Sequence, residues 1–251
     1  MAGAMAWRSG NPAIQADTFR GGSAAFDAGV MTIGGTVNKT GLSLVMLMIA
    51  AGYVWNRGAA DPVIGAFIMA GALGGFVLAL VTVFKHGWAP YTTPIYAVLE
   101  GLALGGISVI FEATYPGIVS QAVFLTFGTL AALLIAYRAG VIRATDNFKR
   151  GVLAATGGIA LLYFLSFILG FFGVSVPLIH SNGAFGILFS MFVVVIAALN
   201  LVLDFDLIEK GAARGAPKYM EWYGAFALLV TLVWLYLEIL RLLAKLQSRQ
   251  R

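Results

Sequence analysis

The chain has 251 residues, of which 60% are hydrophobic and 11% charged, against roughly 45–50% and about 25% in an ordinary soluble domain. One soluble core of this length cannot hide that much apolar surface, and a mean hydropathy of +0.91 makes lipid the expected solvent. The formal charge of +5 does not argue for a nucleic-acid partner, because the 16 Lys and Arg stand almost wholly between or beyond the apolar runs, and the absence of Cys excludes disulfides, thiolate metal sites and Cys nucleophiles.

Residues 1–39 are polar, rich in Gly and Ala, and carry Arg8, Arg20 and Lys39. They lack the basic start, apolar core and cleavage site of a signal peptide, so a flexible tail that stays attached is expected. Seven apolar stretches follow, at about 40–55, 62–84, 94–112, 118–137, 151–173, 183–207 and 222–246. Each approaches the roughly 20 residues a helix needs to cross a bilayer, the first being the shortest. Arg57 with Asp61-Pro62, then Lys85 to Pro94, then Tyr115-Pro116-Gly117, then Arg138 to Arg150 mark the first four breaks. The fifth break holds Pro177, His180 and Asn182, and the sixth is the most charged. Runs of about 10 residues alternating in polarity, the mark of a membrane barrel, are absent. The predicted fold is an all-α integral membrane protein, with about seven transmembrane helices bundled over 40–246 and a basic tail at 247–251.

Loop charge sets the expected orientation. With the amino terminus inside, eleven Lys and Arg fall on the inner side and five on the other: Arg57, Arg241, Lys245, Arg249 and Arg251. The basic carboxyl end opposes this orientation, and six spans with a re-entrant segment would relieve it.

Ionisable groups inside spans are costly, by roughly 2.5–3.5 kcal/mol on insertion scales, and point to function. Glu100 and Glu112 lie in the third span, Asp204 and Asp206 late in the sixth, and Glu238 deep in the seventh. Arg241, three residues beyond Glu238, makes a local ion pair the plainer reading of that acid. Asn200 precedes Asp204 by four residues on one helix face, whereas Asp206 points about 200° away and reads as a solvated helix end beside Glu209 and Lys210. Gly71 with Gly75 and Gly101 with Gly105 have the GxxxG spacing of close helix packing, which is expected to hold Glu100 between helices. Two carboxyls meeting in a low-dielectric interior cannot both ionise cheaply, so they share a proton. Protonated, they latch two helices; ionised, they repel and offer hard oxygen ligands to a cation such as Ca²⁺.

An intramembrane enzyme is the rival class, and the residues do not favour it. Ser108 lies in a span, His180 in a loop, and no G-x-S-x-G setting surrounds either. His86 and His180 have no metal-ligand spacing, and no nucleotide-binding loop of the Walker type occurs. Neither an enzyme nor a bound cofactor is expected.

LNLVLDFDLIEKG over 199–211, WYGAFALLVTLVWLYLEILRLLAKL over 222–246, and YAVLEGLALGGIS over 96–108 resemble the Bax inhibitor-1 family, also called the transmembrane BAX inhibitor motif family. The opening WRSGNPA and WLYLEILRLLAKLQ look like its bacterial branch, which implies the cell's inner membrane. The resemblance implies seven helices with the last central, and a pH-sensitive Ca²⁺ leak governed by an aspartate pair in helices six and seven. Asp204 matches the first aspartate, although the following Thr-Gln is replaced by Phe205-Asp206. Glu238 takes the second place in Leu235-Tyr236-Leu237-Glu238, which makes the expected sensor and Ca²⁺-binding contact Asp–Glu. Glu100-Gly101 matches the family's glutamate-glycine pair; Glu100, Asp206, Asn200 and Arg241 are the supporting polar groups.

Beside a pH-gated cation leak stands a second reading: a regulatory protein that restrains another membrane protein, such as a membrane-anchored protease, through the polar amino-terminal tail. A proton-coupled transporter is a third, and no dedicated polar cluster for a solute supports it.

Overall fold

The computed structural model describes residues 29–173 and 183–250. Backbone groups at membrane depth must be satisfied within the segment, and every apolar run accordingly winds into a helix. These are α1 (Ile33–Trp55), α2 (Ile64–Phe84), α3 (Ala89–Thr114), α4 (Ile118–Arg138), α5 (Asp146–Phe171), α6 (Ala184–Ala213) and α7 (Met220–Gln250), with a 3₁₀ turn at His86–Trp88 leading into α3. All seven are long and apolar enough to cross a bilayer.

Local chemistry sets the boundaries. The Thr32 hydroxyl accepts the Gly35 N–H at 2.9 Å and caps α1, and Thr145 caps α5 by accepting from Phe148. Glu112 accepts the N–H groups of Gly117 (2.6 Å) and Val119 (3.1 Å), so this acid closes the turn into α4. Gly117 supplies the left-handed φ of 84° that the turn requires.

Two expected boundaries move. Helix α1 starts at Ile33, inside the expected tail, and is 23 residues long rather than the shortest span. Its first turns are too polar for a hydropathy window, yet Thr36 and Thr40 are buried there. At the other end α7 runs through Gln250, so 247–250 is helix and not tail. The segment 1–28 and the fifth break, with His180, lie outside the described residues.

Helix α7 is the axis of the bundle. It packs against α1, α3, α4 and α6, and 61% of its membrane-depth window is buried, against 11% for α5 at the rim. Helix α3 is pressed between α1 and α2 through both glycine pairs. A Cβ at Gly101 would overlap the Leu47 carbonyl oxygen, and one at Gly105 would stand 2.6 Å from that of Ala51. Helices α6 and α7 form an antiparallel hairpin whose inner faces carry Leu201, Phe205, Leu229 and Leu235 into the core.

Two tests follow from this packing. Gly101→Ala should lower stability by about 1–3 kcal/mol through overpacking, whereas Gly157→Ala, where a Cβ meets nothing within 4 Å, should be neutral or gain up to about 1 kcal/mol of helix propensity; thermal unfolding in detergent checks both. In the α1–α2 loop Asp61 accepts the Val63 N–H at 2.9 Å and pairs with Arg57 at 3.2 Å. These contacts, the backbone bond foremost, hold its carboxyl below the ordinary value. The carboxylate therefore stabilises the loop above the ordinary carboxylate range and loses that contribution as pH falls through the folded value. The Val63 amide shift should move on acidification and stay flat in Asp61→Asn.

Candidate functional site

The α6–α7 hairpin fixes which groups can meet. Lys245 donates to the Ser190 hydroxyl (2.8 Å) and the Gly186 carbonyl (3.0 Å), and the Thr231 hydroxyl bears on the Asp204 carboxyl. In this register Asp204 is level with Thr231, seven residues and about 10 Å along the axis before Glu238. The expected Asp204–Glu238 contact is thus not formed, because the two acids occupy different depths. The pair assigned to Ca²⁺ does not converge, and among the described residues no three His, Asp or Glu gather as a metal cluster.

Glu238 is held by its own helix and by α5. It is 2% exposed and receives Arg241 Nη1 on both oxygens, at 2.9 and 3.2 Å. Tyr163 of α5 donates to Oε1 at 3.0 Å and accepts from Arg241 at 2.8 Å, with the guanidinium 5.2 Å from its ring centre. Arg241 is therefore the local counter-ion, as its spacing suggested, and Tyr163 is the partner that no local pattern reveals.

Asp204 has no such partner. Its Oδ2 is buried without a hydrogen bond, and the other buried side-chain atom in this condition among the described residues is Ser43 Oγ of α1. Both belong to one level. A Cβ at Gly224 would meet Thr36, an offset of 188 residues between the parallel helices α1 and α7 that sets Ser43 beside Thr231. Glu100 lies close to the same level: Thr93 donates to the Trp222 carbonyl (3.2 Å) and Ser108 meets Tyr236 (2.6 Å). Those offsets of 128 to 129 residues put Glu100 beside residues 228–229 of α7. As its glycine neighbours suggested, Glu100 sits between helices, its Oε1 2.7 Å from where a Gly75 Cβ would stand. The acid that shares a depth with Asp204 is thus Glu100.

The remaining candidates join a ladder between α5, α6 and α7. Asp206 pairs with Lys149 of α5 (2.6 Å) and Lys210 (2.9 Å) at the amino-terminal side. Asn200 donates to Thr156 of α5 at 2.8 Å rather than facing α7 with Asp204. Tyr163 with Glu238 and Arg241, then Ser190 with Lys245, continue towards the far side. Polar residues recur every seven positions, at 149, 156 and 163 on α5 and at 231, 238 and 245 on α7. Seven residues are nearly two full turns, so each set shares a face. That spacing is readable in the sequence and would have found Thr156, Tyr163 and Lys245.

Ser108 shares a hydrogen bond with the Tyr236 hydroxyl at 2.6 Å. His86 packs edge-on against Tyr223 at 4.6 Å. Of the five basic residues counted on the far side, Arg241 and Lys245 lie within α7 and are engaged by the bundle. This leaves Arg57, Arg249 and Arg251, and the objection to seven spans weakens.

Among the described residues, seven membrane-crossing helices, six of them around a charged central one, define a multipass helical membrane protein with ionisable groups held inside its bundle. A family model described as Bax inhibitor 1 like matches residues 11–248, and the chain belongs to that family. No curated protein and no solved structure matches the chain.

Removing one partner of a buried ion pair strands the other charge. Arg241→Gln should cost about 1.5–3 kcal/mol, less than in a fully dry pair, because the Arg side chain is 40% exposed. Adding Glu238→Gln should restore part of the loss. Denaturation of the two variants and of Glu238→Gln completes the cycle, and strict additivity would refute a coupled pair.

Proposed function

We propose that the chain is a pH-sensitive leak for cations, with Ca²⁺ its ion, in the inner membrane and with its amino terminus on the cytoplasmic side. The observation that carries this reading is Asp204: a buried carboxyl beside the central helix, with one oxygen unpartnered and a second acid, Glu100, near its depth. Lipid-embedded proteins rarely hold such a group without a use for it. When both acids are ionised they repel across the bundle and present hard oxygen atoms, the donors Ca²⁺ prefers. When one is protonated the repulsion ends and the helices close.

Glu238 has a separate part. Its ion pair with Arg241 occupies the ladder at a second depth and, through Tyr163, links α7 to α5. In this reading the two acids at one depth form the sensor, and the Glu238–Arg241 pair is a separate brace on α7 rather than a sharer of the same proton. The excess of basic residues on the amino-terminal side supports the orientation.

Purified protein in vesicles loaded with a Ca²⁺ indicator tests the proposal. Flux should fall as pH is lowered in the wild type. Asp204→Asn should abolish most of that dependence, and Glu238→Gln should shift it. Flux and pH response unchanged in the Asp204→Asn/Glu238→Gln double variant would sink the idea.

A further inference from the structure

Helices α1 and α4 both lean on α7 but do not pack along each other. Between them lies a crevice of about 240 Å³, walled by Leu44, Met48 and Trp55 of α1, Val123 and Phe127 of α4, and Leu232 of α7. The few hydroxyls in its lining bond within the bundle: Ser108 and Tyr236 share one hydrogen bond at 2.6 Å, and Thr126 donates to the Ala122 carbonyl at 2.8 Å. The walls are almost wholly apolar.

The crevice lies wholly at membrane depth. From Leu44 to Trp55 α1 rises about 16 Å, close to half of a roughly 30 Å hydrocarbon core and therefore one leaflet. Its lips are exposed apolar side chains, Met48 at 57% and Trp55 at 40%, continuous with the lipid-facing surface. An apolar cavity of about 150 Å³ already admits benzene. A larger one open to hydrocarbon gains the dispersion contacts its walls otherwise forgo.

We propose that this crevice is a binding site for one acyl chain of a bilayer phospholipid, inserted from the leaflet in which α1 ends and α4 begins. The chain supplies the neighbour that α7 lacks between α1 and α4, against Leu232, Val233 and Tyr236. Gly52 gives a means of closing the site. It lines the crevice, and a Cβ built on it meets nothing within 4 Å, so a larger side chain there enters the space the acyl chain takes.

The test uses the full chain in vesicles of phosphatidylcholine bearing a mid-chain diazirine, irradiated and mapped by mass spectrometry. Adducts at Met48, Val123 and Phe127 should exceed those at Phe164, an exposed residue of α5, by on the order of tenfold, the ratio for a site favoured by about 1.4 kcal/mol over the open annulus. Gly52→Leu should remove that excess and leave Phe164 labelling as it was; Val123→Trp, which narrows the crevice from α4, should do the same at Met48 and Phe127. Equal labelling at Phe164, or crevice labelling indifferent to both substitutions, overturns the proposal in favour of ordinary annular lipid. Cross-links from crevice residues to a second copy of the chain, in place of lipid adducts, overturn it as well.

Discussion

Lipid gives a buried polar group no partner of its own, so matching has to come from inside the bundle, and the helix that carries the buried charged residues Glu221, Glu238 and Lys245 has to be central. Helix α7 brings Glu221, Thr231, Glu238 and Lys245 into buried positions. Its neighbours are placed to answer them. Helix α1 brings Lys39 and Thr32 to Glu221, α5 brings Tyr163 to Glu238, and α6 brings Ser190 to Lys245. The small residues of α2 and α3 allow the close packing on which these placements depend.

The fold was legible because its main signal is solvent-scale: seven apolar runs and the turn residues between them. The first span was underestimated for a specific reason. Its opening residues, Gly34-Gly35-Thr36 and Asn38-Lys39-Thr40, read as polar, but Gly35 is small because Glu221 stands against it. Thr36 and Thr40 bond back to the carbonyls four residues before them. A window average sees composition and cannot see the buried carboxylate that makes such a composition useful.

The site was legible residue by residue but not in its pairing. Each acid that stood out in an apolar run occupies a distinctive position, and the i, i+3 spacing of Glu238 and Arg241 forecast their contact. The Asp204–Glu238 contact failed because the register of two antiparallel helices is set by contacts far away in sequence, such as Lys245 with Ser190. One turn of slip changes which acid lies opposite which. That Asp204 shares its level with Ser43 and Glu100 depends on α1 and α3 running parallel to α7, a fact carried by no local motif.

The two ends of the bundle are fastened differently, and this bears on where the proposed leak can open. On the amino-terminal side ion pairs join separate helices: Lys39 to Glu221 across α1 and α7, and Lys149 to Asp206 across α5 and α6. Tyr137 bonds Glu209 across α4 and α6, and the Met31 N–H donates to the Ala216 carbonyl at 2.7 Å to tie the entry of α1 to the α6–α7 turn. On the far side Arg57–Asp61 lies within one loop and Arg241–Glu238 within one helix; ties between helices there include Tyr163 to Glu238, Lys245 to Ser190, Ser108 to Tyr236 and Glu112 to the Val119 N–H. Separating helices costs more where opposite charges must part than where a neutral hydroxyl loses one bond. In the proposed leak, spreading the far half about a fixed amino-terminal end therefore parts fewer opposite charges between helices, and the Tyr163 hydrogen bond from α5 to Glu238 is one of the contacts it would break.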